Sequence, residues 1–149
     1  MKIYERTGLV VYTFMKPFLG IFYSGRLRTR ALITHNSQVL LVRNWKGNQN
    51  WVMPGGGVKK GESPKKALIR ELKEELDLDI KDTALKFLFK STAEDASAKF
   101  PVVIYGLKLA KKPLFSIYSP EILEAKWFDI NKLPENANNL VVKAIKSHQ

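Results

Sequence analysis

Residues 56–78 read Gly56-Gly57-Val58-Lys59-Lys60-Gly61-Glu62-Ser63-Pro64-Lys65-Lys66-Ala67-Leu68-Ile69-Arg70-Glu71-Leu72-Lys73-Glu74-Glu75-Leu76-Asp77-Leu78. The stretch begins with glycines, which let the backbone approach a ligand closely. It continues into a segment that is rich in carboxylates. A glycine loop followed by an acidic helix is typical of a site that binds phosphate with the help of a metal ion. We therefore interpret the rest of the chain around this stretch.

A helix is predicted from Pro64 to Leu76. Ser63 is a good N-cap, Pro64 fits the first helical position, and no glycine or further proline follows before Leu76. This length corresponds to about three to four turns. One arc of the helix carries the apolar side chains of Leu68, Ile69, Leu72 and Leu76, and the other side carries Arg70, Glu71, Glu74 and Glu75. The apolar arc is expected to be buried.

Glu71, Glu74 and Glu75 are spaced i, i+3 and i+4, so on a helix they lie within reach of shared cations. Carboxylate oxygens are the ligands that hard divalent cations take, and such cations bridge to phosphate oxygens. The alternative is an ordinary solvated helix face held by i,i+4 ion pairs such as Arg70 with Glu74. The glycines before the helix favour the cation-binding interpretation.

The whole stretch resembles the Nudix box, G-x5-E-x7-R-E-U-x-E-E-x-G-U, in which U is aliphatic. The matching positions are Gly56, Glu62, Arg70, Glu71, Leu72, Glu74, Glu75 and Leu78. One position departs from the pattern, because Asp77 stands where the family has glycine. Asp tolerates the left-handed conformation that ends a helix at a cost of about 1 kcal/mol or less relative to Gly. The departure therefore affects local stability more than activity.

Composition limits the other possibilities. The chain has 149 residues, which suits one domain with a real core. It has no Cys and only two His, so disulfides, iron–sulfur clusters and thiol-bound zinc are excluded and an oxygen-ligand site remains. The net charge of +11 favours a polyanionic partner such as a nucleotide, a nucleic acid or an anionic lipid, without choosing among them.

Residues 1–25 form an aromatic and basic segment ahead of a predicted domain at residues 26–149. The apolar run from Leu9 to Tyr23 is interrupted by Lys16-Pro17, so it is too short and too broken to span a membrane. A signal peptide fits poorly because no small-x-small site follows, and we expect a cytoplasmic protein. We expect the segment to pack on the domain or on a dimer partner; peripheral contact with an anionic membrane is the less favoured alternative. The oligomeric state is left open.

The rest of the chain alternates strands and helices, which predicts an α+β domain. A hairpin is expected first, then a short strand, two further strands joined by a polar linker, a last strand and a terminal helix. These elements are Arg30–Thr34 with Gln38–Val42, Trp51–Met53, Leu85–Lys90 and Phe100–Leu109 with the linker Ser91–Lys99, Ala125–Phe128, and the helix from Asn138 to Ser147. The strand from Phe100 is apolar enough to be central, and Trp51 and Trp127 are expected in the core.

The resemblance implies the Nudix fold, a mixed β-sheet sandwiched between α-helices. It also implies a hydrolase that uses Mg²⁺ or Mn²⁺ to cleave the pyrophosphate bond of a nucleoside diphosphate linked to another group. On this basis Glu71, Glu74 and Glu75 ligate the cations, with a backbone carbonyl near Gly56. Arg70 orients the carboxylates, pairing with Glu62 across the loop. Water then attacks phosphorus, with Glu71 as the first choice of base.

A second carboxylate is expected from outside the box. Ser119-Pro120-Glu121-Ile122-Leu123-Glu124-Ala125-Lys126-Trp127 is similar to the family's later S-x-E-I-x-E-x-x-W stretch, and many relatives take an extra carboxylate from that loop. Glu121 is therefore the second candidate base, and Glu94 is a weaker one. Arg43 and Trp45, in a loop with Lys46, are candidates for holding a phosphate and stacking a base.

The substrate is not fixed by these residues. Relatives that cleave ADP-ribose have a proline about 15 residues past the box, where this chain has Ala93, and relatives that act on diadenosine polyphosphates have a tyrosine near Glu94. An (d)NTP-like nucleotide is therefore favoured, and the positive charge mildly favours an RNA 5′ end as the alternative. Two non-enzymatic alternatives are a nucleotide-binding module, which the intact carboxylate set argues against, and a membrane-surface module using residues 1–25.

Overall fold

The computed structural model describes residues 27–45, 47–95 and 98–148, so the predicted segment 1–25 and Lys46 lie outside the described residues. Within these ranges there are six strands, two α-helices and a short 3₁₀ helix. The strands are β1 (Arg28–His35), β2 (Gln38–Asn44), β3 (Trp51–Val52), β4 (Lys86–Asp95), β5 (Ala98–Lys108) and β6 (Ile122–Asp129); the helices are α1 (Pro64–Leu76), the 3₁₀ turn (Asp82–Ala84) and α2 (Asn139–His148).

The strands form one mixed sheet in the order β3-β2-β1-β5-β4, and β6 also pairs with β2. The predicted β1–β2 hairpin is confirmed, with Ile33 opposite Leu40. β1 and β5 are parallel, whereas the other pairs are antiparallel. A parallel pair requires a long crossover connection, and α1 lies within that connection. The predicted central position of the strand from Phe100 is also confirmed, because β5 lies between β1 and β4.

Each face of the sheet is covered by one helix, as the predicted α+β Nudix fold requires. Leu68, Leu72 and Leu76 of α1 are fully buried in a cluster with alternate residues of β1, Ala31 and Ile33. A second cluster packs α2 against the other face of the sheet, to which Leu32 of β1 points. Its members include Leu32, Val39, Trp51, Val141, Ala144 and Ile145. The alternation follows from the two-residue period of a strand. Among the described residues, no helix is both long and apolar enough to cross a membrane.

Helix α1 begins and ends as the sequence predicts. The hydroxyl oxygen of Ser63 accepts a hydrogen bond from the backbone N–H of Lys66 at 3.3 Å. Asp77 follows the helix in the left-handed conformation, with φ of 56°, and its N–H donates to Lys73 O at 3.0 Å. The Lys73 ammonium lies 2.6 Å from Asp77 and 2.9 Å from Asp79. This cation offsets the charge that Asp77 adds near the negative end of the helix dipole.

The predicted polar linker from Ser91 to Lys99 is wrong. β4 continues to Asp95 and β5 starts at Ala98, so most of the stretch forms an antiparallel ladder in which Thr92 lies opposite Pro101. The sequence misled because β4 has only one neighbouring strand, and polar side chains are tolerated on an edge strand that faces solvent. The last strand, β6, is likewise longer than predicted.

Candidate active site

The glycine loop lies along the beginning of β1. Backbone N–H groups of Thr29 and Ala31 donate to the carbonyls of Gly56 and Pro54, each at 2.9 Å. The Gly56 carbonyl, which the sequence proposes as a metal ligand, therefore already accepts one hydrogen bond. A carbonyl oxygen has two lone pairs, so a second interaction remains open to it. The loop is fixed to the sheet before any ligand binds.

Two positions of this loop require glycine because neighbouring atoms approach their backbone closely. A Cβ at Gly56 would overlap the carboxyl group of Glu71, and a Cβ at Gly55 would overlap the carbonyl of Thr29. Gly55 also has φ of 131°, a conformation that L side chains rarely adopt. The missing side chains thus let the carboxylates of α1 lie directly against the loop backbone.

Glu71 and Glu75 are the two buried carboxylates of α1, and each is 8% exposed. The backbone N–H of Gly55 donates to Glu75 Oε2 at 3.2 Å. Burial raises the pKa of Glu75 to about 8; the charge of Arg30 opposes this rise, and Glu71 and Glu121 add to it. Burial also raises the pKa of Glu71, against the hydrogen bond from Arg70. Burial thus disfavours the charged form of both carboxylates, and a positive charge placed beside them would offset that cost.

Arg70 is the centre of a hydrogen-bonded network. Its Nε and Nη2 donate to the two oxygens of Glu62 at 2.9 and 3.0 Å, which is the predicted pairing across the loop. Its Nη1 donates to Glu71 at 2.9 Å and to Glu74 at 3.2 Å, and Nη2 also reaches the Gly57 carbonyl at 3.0 Å. Chiefly through Arg70, the pKa of Glu62 is lowered to about 2. Arg70 thus ties the loop to α1 and orients Glu71.

The third predicted carboxylate does not join the other two. The Glu74 side chain is 55% exposed and pairs with Arg70 four residues earlier. Accordingly, in the part of the chain that the structure describes, no group of three or more acidic, His or Cys side chains is arranged to hold a metal ion. In these side-chain positions Glu74 is paired with Arg70 and is not grouped with Glu71 and Glu75 as a ready metal site. The physical reason is that the Arg70 guanidinium lies between Glu71 and Glu74, because its Nη1 donates to both carboxylates.

Glu121 lies immediately before β6, and its carboxylate is one of the charges that raise the pKa of Glu75. The fold therefore brings it into electrostatic reach of the box helix. Its backbone N–H donates to Ser119 Oγ at 3.2 Å, so it also belongs to a turn. Glu94, by contrast, is exposed on β4 and lies 3.9 Å from Lys99.

Arg43 and Trp45, which the sequence proposes as substrate-binding residues, make contacts within the protein. Arg43 Nη2 donates to Glu124 at 2.8 Å, and its guanidinium lies 5.5 Å from the ring centre of Trp51. Trp45 is half-buried, and its backbone N–H donates to the Glu121 carbonyl at 3.0 Å. Arg43 is thus already paired, and Trp45 is placed next to the turn that carries Glu121. Trp51 is in the core, as predicted.

A pocket on the α2 side of the sheet adjoins the loop. Its lining includes four asparagines, two arginines and the Phe100 ring, namely Asn44, Asn48, Asn50, Asn138, Arg28, Arg30 and Phe100. Neither Arg43 nor Trp45 lines it. Asn138 is brought there because its backbone N–H donates to Trp51 O at 2.9 Å, which ties the start of α2 to β3. Its lining combines amide groups, guanidinium groups and an aromatic ring, which are groups that hydrogen-bond to and stack on a nucleoside.

Sequence interpretation missed the arginines of β1. Arg30 Nη1 donates to the carbonyls of Gly55 and Met53, at 2.6 and 3.2 Å. The available signal was the spacing of Arg28 and Arg30, which places both on one face of a strand whose next positions are apolar. Charged residues at core-facing positions of a strand are exceptions that indicate a specific partner.

The donors of the site fit a hard divalent cation in their chemistry. Glu71 and Glu75 supply buried carboxylate oxygens whose raised pKa values indicate missing positive charge. The glycine loop leaves no side chain between them and the backbone carbonyls. Oxygen-only donor sets of this kind are what Mg²⁺ and Mn²⁺ prefer.

Comparison with known proteins identifies a family for this chain. A family model described as NUDIX domain matches residues 25–146. An RNA pyrophosphohydrolase of Nitratiruptor sp. is 37% identical over 94 residues, which cover 63% of this chain and 52% of that protein. An ADP-ribose pyrophosphatase of Methanocaldococcus jannaschii is 29% identical over 111 residues, covering 72% of this chain and 63% of that protein. The matches thus span less than two thirds of either relative.

Among solved structures, a MutT NUDIX hydrolase from Burkholderia pseudomallei superposes with a TM-score of 0.73 at 21% identity. The match covers 85% of this chain and 99% of that one. At this level of identity the likeness concerns the fold, including the mixed sheet between two helices.

Proposed function

The chain belongs to the Nudix family, and from that premise we propose that it is a hydrolase that cleaves the pyrophosphate bond of a nucleoside diphosphate linked to another group. Nudix hydrolases generally use divalent metal ions, and we propose Mg²⁺ or Mn²⁺ here. The observation that supports the proposal best is the pair of buried carboxylates, Glu71 and Glu75, held beneath a side-chain-free glycine loop.

Glu71, Glu75 and the Gly56 carbonyl are the proposed ligands, and Glu74 joins them by leaving its exposed ion pair with Arg70. That pair is a weak obstacle, because an exposed i,i+4 pair contributes only about 0.5 kcal/mol. When bound, the cation neutralises phosphate charge and makes water a stronger nucleophile. Arg70 stays paired with Glu62, so it continues to hold α1 and the loop in register.

Two carboxylates are candidates for taking the proton of the attacking water. Glu71 is buried against the Gly56 backbone and is oriented by the hydrogen bond from Arg70, so its carboxylate is held at the proposed cation site. Glu121 lies on the turn before β6, and its charge acts on Glu75. Loops at strand ends commonly carry such groups. We propose that Glu121 completes the site and that Glu71 remains the first choice of base.

An (d)NTP-like nucleotide is the first proposed substrate, bound with its nucleoside in the pocket lined by asparagines and Phe100. An RNA 5′ end is the second, and it is favoured by a specific finding, the similarity to a protein named RNA pyrophosphohydrolase. The net charge of +11 also suits a polyanion. A purely nucleotide-binding module is disfavoured, because the box carboxylates and Arg70 are all present.

The test is a hydrolysis screen with and without Mg²⁺ or Mn²⁺ against NTPs, dNTPs, dinucleoside polyphosphates, ADP-ribose, nucleotide sugars and 5′-triphosphate RNA. We expect cation-dependent release of a nucleoside monophosphate or of pyrophosphate from at least one class. Glu75→Gln is expected to abolish the reaction while the protein stays folded. Glu135→Gln is the matched control, because Glu135 is exposed and away from the site. Equal rates in EDTA, or an active Glu75→Gln variant, would contradict the proposal.

A further inference from the structure

Arg30 lies between the two halves of the site. On β1 it alternates with Ala31, which faces α1, so its side chain lies on the opposite face and lines the pocket beside Leu140 and Val141 of α2. From there Nη1 reaches the Gly55 carbonyl at 2.6 Å. One end of the side chain is therefore fixed to the loop that covers Glu75, and the rest borders the pocket.

The guanidinium of Arg30 retains unused hydrogen-bond donors. Of its five N–H groups, the two on Nη1 are used by the carbonyls of Gly55 and Met53. Within residues 27–45, 47–95 and 98–148, Nε and Nη2 have no hydrogen-bond partner. Arg30 is half-buried and lines the pocket, so the guanidinium lies beside accessible space. The accessible space at this residue is the pocket.

The charge of Arg30 is not matched by a contact ion pair. No carboxylate of the described residues lies within salt-bridge distance of it, although Glu75, Glu71 and Glu121 act on it from further away. Burial lowers its pKa, but a guanidinium remains charged at neutral pH. A cation that is held largely out of water by two neutral carbonyls alone is costly. A ligand that carries negative charge would offset that cost.

A phosphate group has the chemistry that these donors require. Arg presents N–H groups in a planar fork that matches two phosphate oxygens, and Lys does not reproduce that geometry. The alternative is that Arg30 only clips the turn at Met53 and Gly55 in place. That role uses Nη1 and leaves the other three N–H groups without a purpose.

We propose that Arg30 is a substrate-binding residue whose Nε and Nη2 bind a phosphate oxygen of the nucleotide where it passes from the pocket to the carboxylates. This inference rests on the proposed function, because it assumes that the nucleoside occupies the pocket and that the pyrophosphate lies at Glu71 and Glu75. Arg30 then fixes the phosphate chain relative to the buried carboxylates and selects a phosphorylated ligand over the bare nucleoside.

The test compares nucleoside 5′-monophosphates with their nucleosides, using AMP with adenosine and GMP with guanosine, by calorimetry on the wild-type protein, Arg30→Gln and Arg30→Lys. The wild-type protein is expected to bind the monophosphate more tightly. In Arg30→Gln this preference should fall about tenfold or more, and Lys should restore only part of it, while nucleoside affinity changes less than about twofold. Lys132→Gln, which removes an exposed surface cation, is the control. If Arg30→Gln kept the same preference for the monophosphate over the nucleoside, the proposal would be overturned, and Arg30 would serve only to hold the turn at Met53 and Gly55.

A measurement on the wild-type protein covers the case in which the variants do not fold. Phenylglyoxal modifies arginines, and mass spectrometry gives the extent at Arg30. Protection by the monophosphate and not by the nucleoside is expected; equal modification with both would overturn the proposal. Neither readout needs turnover. A protein that prefers monophosphates but hydrolyses nothing would refute the proposed hydrolase alone, whereas an active enzyme with an unchanged preference in Arg30→Gln would refute the role of Arg30 alone.

Discussion

Replacing Glu75 by Gln is expected to stabilise the metal-free protein at neutral pH. Glu75 is 8% exposed, and its pKa rises from the ordinary 4.5 to about 8, chiefly because burial disfavours its charged form. The Gly55 N–H that donates to Glu75 Oε2 at 3.2 Å finds an equivalent acceptor in the Gln carbonyl oxygen. The substitution therefore keeps the shape and the hydrogen bond and removes the ionisation.

The magnitude follows from the pKa shift. Below pH 4.5 Glu75 is protonated in both the folded and the unfolded chain, so it costs nothing. As the pH rises from 4.5 towards 8, the unfolded chain loses the proton and the folded chain keeps it, so folding stability falls by about 1.4 kcal/mol per pH unit. At pH 7 this amounts to about 3 kcal/mol, a large part of the stability of a small domain.

Urea unfolding in EDTA at pH 5 and pH 7 measures this difference. Glu75→Gln should unfold at a clearly higher urea concentration than the wild-type protein at pH 7 and at nearly the same concentration at pH 5. Glu135→Gln, which changes an exposed carboxylate, should match the wild-type protein at both. Addition of Mg²⁺ should raise the stability of the wild-type protein at pH 7 and leave Glu75→Gln nearly unchanged. A Glu75→Gln variant that is less stable at pH 7 in EDTA would refute the reasoning.

Three further changes test the rest of the site. Gly56→Ala should lower kcat/KM at least about tenfold, because the new Cβ displaces the carboxyl group of Glu71. Glu121→Gln should keep its melting temperature and lose about tenfold or more in kcat, which is about 1.4 kcal/mol of barrier. Arg70 holds the pKa of Glu62 near 2 in the folded protein, so ionised Glu62 stabilises the fold above pH 4.5. Glu62→Gln should therefore be less stable than the wild-type protein at pH 7 by about 2 kcal/mol. Its stability should also fall less than that of the wild-type protein as the pH drops from 4.5 towards 2.

Each of these three expectations could be contradicted by a specific result. Wild-type kinetics in Gly56→Ala would mean that the contact with Glu71 does not matter for turnover. A loss in Glu94→Gln equal to that in Glu121→Gln would move the second carboxylate to β4. If the stability of Glu62→Gln fell with acid as steeply as that of the wild-type protein, the titration of Glu62 would not be the cause of the acid sensitivity.

The box helix was predictable because its signals are local. Ser63, Pro64 and Asp77 define its ends within a few residues, and the leucine spacing defines its buried face. The extended β4–β5 hairpin was not predictable from Ser91 to Lys99, since strand pairing depends on partners elsewhere in the sheet. A polar edge strand and a polar loop have the same composition.

The candidate site likewise has features that the sequence predicts and features that it does not. The pairing of Arg70 with Glu62 follows from the box pattern, but the rotation of Glu74 towards Arg70 depends on which acceptors the guanidinium finds. The position of Glu121 near Glu75 was predicted from its place before the last strand. The spacing of Arg28 and Arg30 signals two arginines on one strand face, but the partners of Arg30, carbonyls 23 and 25 residues away, could not be identified from the sequence.

The two arginines around the buried carboxylates differ in how fully they are bound, and this difference bears on their roles. Every nitrogen of Arg70 donates to an oxygen of Glu62, Glu71, Glu74 or Gly57. Arg70 therefore holds the loop and the carboxylates in place and has no donor left for a ligand. Arg30 uses one nitrogen and keeps two at the edge of the pocket. A site that must hold carboxylates rigidly and also admit a phosphate chain needs one cation of each kind, because the bonds of Arg70 to Glu62 and to the Gly57 carbonyl hold the loop against α1 and cannot be given up to a ligand without loosening it.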